Sequence, residues 1–175
     1  RKMTTTRPFT CQDLFRFNNI NLDVLTETYT TSFYFQYLAQ WPEYFKVQES
    51  SSGRLMGYVM GKCEGKKDLW HGHVTAVTVA PEFRRLGLAR KLMQELEDTT
   101  QNTYNGYFVD LFVRKSNTLA IGMYNSFGYE TYRRVLDYYC GEEDAFDMRK
   151  ALKRDPDKKS MVPLTRPIRP EELEW

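Results

Sequence analysis

Apolar side chains recur along this chain with two different periods, and these periods predict its elements. In residues 88–99 they return every three or four positions, as on one face of an amphipathic helix. Residues 54–64 and 69–79 are rich in apolar and β-branched side chains, which is typical of strands. Residues 107–113 are apolar apart from Asp110, so this run is predicted to be a buried strand.

The other predicted elements complete one α/β arrangement. A capping box at Thr10 predicts a helix over residues 11–19, and an aromatic helix over 32–40 ends before Trp41 and Pro42. Asn117 is predicted to cap a short helix that ends at Gly128. The remaining strands are predicted at 4–9, 44–48, 129–136 and 145–152. The fold class is therefore α/β, with a single mixed seven-stranded sheet and about four flanking helices.

One domain is predicted over residues 3–152, followed by an extended tail over residues 153–175. Four of the seven prolines fall in that tail, among lysine, arginine and acidic residues. Such a composition is typical of an extended segment that docks on a partner. The basic residues of the tail leave two readings open, contact with ribosomal RNA and a solvated linker, of which the linker is the simpler.

Composition and charge exclude several classes of protein. Charged residues make up 27% of the chain and apolar residues 41%, as in ordinary globular proteins, and the net charge of +2 excludes a polycationic nucleic-acid coat. No apolar run approaches the ~18 residues of a membrane span. Cys11, Cys63 and Cys140 cannot all pair and lack C-x-x-C spacing, which predicts thiols in a reducing compartment. Without a secretory signal pattern, the chain is expected to be cytoplasmic.

Residues 77–89 contain the most informative motif, in which a strand ends, a basic turn follows and a helix begins. The turn holds Arg84, Arg85 and Gly87, and the helix begins at Leu88. Small residues let backbone N–H groups at a helix N-terminus approach a phosphate, and arginines add positive charge. We interpret the motif as an anion-binding turn; its alternative is a helix start with two solvated arginines. Walker A and G-x-G-x-x-G sequences, which would indicate other nucleotide-binding folds, do not occur.

This basic turn, together with Asn117, Tyr124 and residues 127–129, resembles the GNAT superfamily of acetyl-CoA-dependent N-acetyltransferases. Residues 13–23, which read D-L-F-R-F-N-N-I-N-L-D, resemble one branch of it, the catalytic subunits of N-terminal acetyltransferase B (NatB) complexes. Residues 25–29, 70–76 and 147–152 agree with that branch, and the resemblance covers nearly the whole chain from Met3, tail included.

The resemblance implies a role for each matching residue. The residues implied to bind acetyl-CoA are Val77, Val79, Arg84, Arg85, Gly87, Leu88, Ala89, Asn117 and Tyr124. The residues implied to line the peptide groove are Glu27, Tyr29, His73, Thr75, Tyr138 and Tyr139. The implied activity is acetylation of nascent-chain termini that begin with Met followed by Asp, Glu, Asn or Gln, by direct transfer through a tetrahedral intermediate. The implied partner is a large helical-repeat auxiliary subunit near the ribosome, with no membrane and no specific nucleic acid.

Acid–base chemistry separates two possible acceptors of the acetyl group. Only a neutral amine attacks a thioester; an α-amino group (pKa about 7.7–8.0) is roughly a tenth neutral near pH 7, and a lysine side chain (about 10.4) far less. A lysine acceptor would ask for a strong base, typically a carboxylate on the central strand, and residues 69–79 contain none. His73 is therefore predicted to accept the proton, directly or through a water, and Tyr124 to protonate the departing thiolate.

Several of these residues also have a simple structural interpretation. His71 and His73 could pair on a metal, but no third ligand has suitable spacing, so no metal is predicted. His73 could be an ordinary strand histidine, and Glu27 and Tyr29 plain loop surface. Tyr138 and Tyr139 could simply pack across strands; as neighbours on a strand they are expected to point to opposite faces, so that only one is core.

Further expectations concern Cys140, the aromatic helix and the function itself. Cys140 is expected to be a bystander, because direct transfer needs no acyl-enzyme. The aromatic helix at 32–40 carries more apolar surface than one sheet covers and is predicted to contact the auxiliary subunit. The alternatives for function are a GNAT enzyme of another N-terminal or lysine specificity and a non-catalytic acetyl-CoA-binding scaffold subunit.

Overall fold

A computed structural model describes residues 4–23, 26–139 and 143–173. These residues form one seven-stranded sheet in the order β1-β2-β3-β4-β5-β7-β6, which confirms the predicted α/β class and strand number. The strands are β1 Thr4–Pro8, β2 Lys46–Ser50, β3 Leu55–Glu64, β4 His71–Val79, β5 Phe108–Arg114, β6 Glu130–Tyr139 and β7 Glu143–Ala151. The α-helices in the described residues are α1 Thr31–Gln40, α2 Leu88–Asn102 and α3 Thr118–Ser126. No helix in this described part is long and apolar enough to cross a membrane.

The helix predicted over residues 11–19 is instead two short 3-10 segments, Cys11–Phe15 and Asn18–Asn21. Two asparagines of the second segment bond to strand β3. The Asn19 amide donates to the carbonyl of Leu55 over 3.0 Å, and Asn21 Oδ1 accepts from the Tyr58 hydroxyl over 3.1 Å. These long-range hydrogen bonds hold the second segment against β3, a contact that the local pattern of residues 11–19 does not show.

The chain divides into two compact units, and the first comprises described residues within Arg1–Lys62 and Val74–Thr99. Its interior is a cluster of aromatic and aliphatic side chains. Phe9 stacks on Phe45 with 4.1 Å between ring centroids, and the fully buried Tyr58 lies 6.0 Å from each of these rings. Helix α1 adds Tyr34 and Tyr37 to the same cluster, while its Phe35 is exposed. A role of α1 in binding a partner therefore stays a prediction.

The second unit comprises described residues within Cys63–His73 and Thr100–Trp175, and it buries charges as well as rings. The carboxylate of Asp147, fully buried, accepts from Arg133 Nε over 2.9 Å, and Arg149 Nη2 lies 3.3 Å from the same oxygen. The Arg149 guanidinium also lies 3.5 Å from the centroid of the Tyr132 ring. Burying such an ionic network gives less stability than apolar packing of the same volume, so stability alone does not explain it.

The tail pairs with strand β6 of the second unit. The N–H of Leu136 donates to the carbonyl of Ile168 over 2.8 Å, and the N–H of Ile168 donates to the carbonyl of Arg134 over 3.0 Å. Ile168 and Leu173 are buried against this strand and its neighbour. Docking of the tail on a partner stays a prediction. Cys140 and the acidic loop beside it lie outside the described residues, apart from Glu143 and Asp144.

Candidate active site

The predicted anion-binding turn joins the end of β4 to the start of α2 in the first unit. A 3-10 turn at Pro81–Phe83 follows the strand, and Arg85 and Gly87 then take left-handed conformations with φ of +65° and +76°. A Cβ placed on Gly87 would meet no heavy atom within 4 Å, so the glycine faces open space. Glycine adopts this conformation without strain, and its lack of a side chain leaves the backbone N–H groups accessible.

Arg84 and Arg85 behave differently in this turn. Arg84 Nε donates to the carbonyl of Val79 over 3.2 Å, and its Nη2 donates to Asp23 Oδ2 over 2.7 Å. Arg84 therefore fixes the turn against the end of the strand and against the loop that contains Asp23. Arg85 is exposed at the left-handed position. The open glycine and the exposed guanidinium of Arg85 fit a diphosphate group such as that of coenzyme A.

The predicted groove residues of the first unit are held by tyrosine hydroxyls. Tyr29 donates from its hydroxyl to the carbonyl of Thr75 over 3.1 Å, and the Tyr37 hydroxyl lies 2.8 Å from Thr75 Oγ1. Tyr29 also stacks on Phe33, with 4.5 Å between centroids. Glu27 is exposed in the same loop. Tyr37 was missed from sequence; the available signal was a tyrosine on the apolar face of α1, since a buried hydroxyl asks for a partner.

His73 of the second unit is hydrogen-bonded to a carboxylate that sequence reasoning did not connect with it. Its Nδ1 lies 2.8 Å from Asp110 Oδ1, and both side chains are less than a tenth exposed. Asp110 is the one polar residue in the apolar run of β5, which was the signal that could have revealed it. Although residues 69–79 lack an acid, β5 supplies one, so that absence alone does not exclude a strongly basic group.

Three aromatic side chains form a series of ring contacts that begins at His73: Phe112 and the predicted groove residues Tyr138 and Tyr139. The ring of His73 lies 5.5 Å from that of Phe112, Phe112 lies 4.7 Å from Tyr138, and Tyr138 lies 5.1 Å from Tyr139. Both tyrosines are half-buried and pack with the cluster around Val135. The expectation that only one would lie on the core side is therefore wrong.

The reason is a local break in strand alternation. The pairing of β6 with β7 shifts between Val135 and Tyr139, and Asp137 adopts a left-handed φ of +52°. Where strand pairing is interrupted in this way, the strict alternation of side chains between the two faces no longer holds. Within the second unit, the predicted residues His73, Tyr138 and Tyr139 thus form one connected group through Phe112.

Asn117 and Tyr124 belong to helix α3 of the second unit. Asn117 is the predicted N-cap, since its Oδ1 accepts from the N–H of Ala120 over 3.1 Å. Tyr124 is buried and makes edge contacts with the rings of Phe127 and Tyr129. Burial raises the pKa of the Tyr124 phenol above its ordinary value, so the phenol keeps its proton at neutral pH.

Within residues 4–23, 26–139 and 143–173, no group of three or more His, Cys, Asp or Glu side chains is arranged to hold a metal ion.

The site residues described above are thus an open glycine turn at a strand–helix junction and a carboxylate-bound histidine. The sequence matches the acetyltransferase (GNAT) family over residues 14–129, and the chain belongs to this family. It is 62% identical over 168 residues to N-alpha-acetyltransferase 20 of Dictyostelium discoideum, an alignment that covers 96% of this chain and 97% of that protein.

Two further proteins support the same relationship. The chain is 62% identical over 173 residues to the N-terminal acetyltransferase B complex catalytic subunit NAA20 of Arabidopsis thaliana, covering 99% of each chain. It matches the crystal structure of Chaetomium thermophilum Naa20 in complex with a bisubstrate analogue with a TM-score of 0.89 and 42% identity, over 95% of this chain and 97% of that one. The predicted similarity to NatB catalytic subunits is confirmed, and the chain is an acetyltransferase.

Proposed function

We propose that this chain is the catalytic subunit of a NatB-type enzyme that acetylates protein N-termini. It transfers acetyl from acetyl-CoA to the α-amino group of chains that begin with Met followed by Asp, Glu, Asn or Gln. The observation that carries this proposal is the 62% identity to N-alpha-acetyltransferase 20 over 96% of the chain. At that level over so much of the chain, both the fold and the details of the site are expected to be shared.

The turn between β4 and α2 binds the coenzyme in this proposal. Backbone N–H groups at the start of α2 and the Arg85 guanidinium receive the diphosphate, while Arg84 holds the turn in place through Val79 and Asp23. The strand end at Val77 and Val79 pairs with the pantetheine arm, as the family resemblance implies. When bound, the coenzyme supplies an acetyl thioester for direct transfer to an amine.

His73 prepares the acceptor by removing a proton from the substrate ammonium group. With Nδ1 hydrogen-bonded to Asp110, a neutral ring presents the lone pair of Nε2 as the proton acceptor. The pKa of an α-amino group, about 7.7–8.0, is only about one unit above pH 7, so an imidazole is a strong enough base to remove its proton. A lysine side chain, with a pKa of about 10.4, would require a far stronger base.

Tyr124 supports departure of the coenzyme thiolate. Burial keeps the phenol protonated, so it is available as a hydrogen-bond donor to the sulfur as negative charge develops. Because its pKa lies above the ~8.5 of a thiol, complete proton transfer would be uphill, and the hydrogen bond is its larger contribution. Loss of this donor should therefore lower turnover more than coenzyme binding.

The proposed assembly is a heterodimer with an auxiliary subunit. A solved NatB acetyltransferase complex bound to a bisubstrate inhibitor matches this chain with a TM-score of 0.84 over 98% of its length, at 42% identity. Ribosome association and a cytoplasmic location are proposed with it.

The test is acetylation of a peptide mixture by the chain co-purified with its auxiliary subunit, followed by mass spectrometry. Peptides beginning Met-Asp, Met-Asn, Met-Leu and Ser-Glu are supplied with acetyl-CoA, together with an N-terminally blocked peptide that contains lysine. The proposal expects acetylation of Met-Asp and Met-Asn at the α-amine, with the others at background. Acetylation of the lysine peptide, or no acetylation at all, would reject it in favour of the lysine enzyme or the scaffold.

A further inference from the structure

Two buried histidines face one buried carboxylate in the second unit, although the proposed reaction uses only one histidine. Asp110 Oδ1 lies 2.8 Å from His73 Nδ1, and Asp110 Oδ2 lies 3.4 Å from His71 Nε2. The exposed fractions of His71, His73 and Asp110 are 5%, 7% and 4%. A buried ionisable group is costly unless it is paired, so the second histidine needs a physical reason.

The surroundings of His71 fix where its protons lie. Its Nδ1 is 2.5 Å from the carbonyl oxygen of Leu69, and because a carbonyl can only accept, this nitrogen carries a proton. Its Nε2 faces the Asp110 carboxylate and lies 3.9 Å from Glu64 Oε1. A neutral ring with its proton on Nδ1 would point a lone pair at two carboxylates. The arrangement is satisfied only when both nitrogens are protonated, that is, by an imidazolium.

The electrostatics agree with this geometry. Burial alone would lower the pKa of His71, but the charge of Asp110, its hydrogen bond, the Leu69 carbonyl and Glu64 together raise it above the ordinary value. Burial likewise opposes ionisation of Asp110, yet the two histidines hold the pKa of Asp110 well below its usual range. Asp110 and His71 therefore favour each other's charged forms.

Other charged groups face this pair from neighbouring strands. Glu64 on β3 lies 3.9 Å from His73 Nδ1 as well as from His71. On β7, Arg149 is directly opposite Asp110 in the strand register, and its guanidinium pairs with Asp147. Asp147 is itself affected, since burial and then the charge of Asp110 raise the pKa of Asp147.

Uncharged rings cover the two imidazoles. Phe108 stacks on His71 with 4.5 Å between centroids, and Phe112 lies against His73. Among the described residues, the carboxylates of Asp110 and Glu64 lie 2.8 Å and 3.9 Å from His73 Nδ1, and His71 faces both of these carboxylates.

We propose that His71 and Asp110 are positioning residues for His73: Asp110 holds the His73 ring with its proton on Nδ1, and the positive charge of His71 offsets the Asp110 charge beside that ring. His71 contributes through Asp110 and takes no proton from the substrate. This inference rests on the proposed function, in which His73 Nε2 accepts the proton of the α-amine.

The test is the pH dependence of kcat for a Met-Asp peptide, measured on the chain with its auxiliary subunit for four enzymes: wild type, His71→Gln, Asp110→Asn and the double variant. His71→Gln leaves Asp110 uncompensated, which favours protonated His73, so the acidic limb should move up by about one pH unit. Asp110→Asn keeps a hydrogen-bond acceptor for Nδ1 but leaves the His71 charge, so the limb should move down by about one unit.

The double variant removes both charges together. Its acidic limb should return to within about 0.3 unit of the wild-type position, because the opposite effects of removing the negative charge of Asp110 and the positive charge of His71 cancel. Limbs that stay in place while the rates fall, or that move in the same direction in both single variants, would overturn the inference and leave the pair a structural role.

His73→Asn separates this inference from the proposed function. If that variant keeps the wild-type kcat and acidic limb, His73 is not the proton acceptor and the proposed mechanism fails. If its kcat falls at least tenfold while the His71 and Asp110 variants show no opposed shifts, only the positioning inference fails. Should a variant fail to fold, side-chain nitrogen NMR of wild-type His71 reports the protonation of its two ring nitrogens: an imidazolium at pH 7 supports the inference, and a neutral ring overturns it.

Discussion

The two compact units differ in what they bury. The first is filled by rings that contact one another, such as Phe9, Phe45 and Tyr58, and its described tyrosine hydroxyls bond to backbone and neighbouring side chains. The second buries carboxylates, imidazoles and guanidinium groups, among them Asp110 and Asp147. Apolar burial contributes about 25 cal/mol per Å² without further conditions, whereas buried charge must be paired to be tolerated. The first unit also buries the carboxylates of Asp13 and Glu97, but both histidines of the chain are buried in the second unit, beside Asp110.

The largest effect is expected from removing a ring of the first unit. Phe45→Ala deletes a completely buried side chain stacked on Phe9, and should lower the free energy of unfolding by about 3–5 kcal/mol. Urea denaturation of the full chain measures it. Phe15→Ala is the matched control, because that ring is 85% exposed, and it should change stability by less than about 0.5 kcal/mol. Equal effects of the two substitutions would contradict the packing described for this unit.

The next largest effect is expected on turnover, from the substitution Tyr124→Phe in the second unit. The ring and its contacts with Phe127 and Tyr129 remain, while the hydrogen-bond donor is lost. Turnover should fall about 100-fold with little change in coenzyme affinity, as for other donors to a developing negative charge. Steady-state kinetics and calorimetric titration with coenzyme A measure the two quantities. Unchanged turnover would remove Tyr124 from the mechanism.

A change at the turn of the first unit should weaken coenzyme binding. Gly87→Val adds a side chain at φ +76°, strains the backbone and projects into the open space where the diphosphate is proposed to lie. Coenzyme A affinity should fall about tenfold or more, worth about 1.4 kcal/mol. Gly53→Val is the matched control, because Gly53 also has a positive φ of +79° but lies in the β2–β3 hairpin turn. Equal losses of coenzyme affinity in both variants would argue against binding at the turn.

The smallest expected effect is a difference between the units in how pH changes stability. The raised pKa of His71 makes its stabilising contribution complete below the unfolded value of about 6.5 and lost as pH rises through the folded value. The lowered pKa of Asp110 makes its contribution complete above about 3.9 and lost as pH falls through the folded value. Both contributions are therefore complete between about pH 4 and 6.5.

Thermal unfolding of the full chain at pH 5 to 9 measures this effect. The wild type should lose stability above about pH 6.5, and His71→Gln should lose much of that dependence. Phe45→Ala should lower the whole curve by a nearly constant amount, because its neighbours Phe9 and Tyr34 are rings. A wild-type slope that His71→Gln leaves unchanged would place the titrating group elsewhere.

Local signals in the sequence predicted most of the fold. The periodicity at residues 88–99 corresponds to α2, and Asn117 and Gly128 act as the predicted cap and helix-ending glycine, the latter at φ +93°. These features depend on neighbouring residues only, so a single sequence contains them. The anion-binding turn was predictable for the same reason.

Contacts between distant residues were not predictable in this way. Arg84 pairs with Asp23, 61 positions away, and His73 with Asp110, 37 positions away, so the pairing depends on how the strands are arranged. The break in alternation at Tyr138 and Tyr139 depends on a register shift that the sequence pattern does not show. Asp110 was visible as an interruption of an apolar run, but its partner was not.

The buried charges of His71 and Asp110 position His73 as a proton acceptor in the mechanism proposed here. Side-chain nitrogen NMR of the histidines is the most direct test of this role, recorded at pH 7 on the isotope-labelled chain bound to its auxiliary subunit. The account predicts protons on both ring nitrogens of His71 and a proton on Nδ1 of His73. A neutral His71 ring with an unprotonated Nε2 would contradict it.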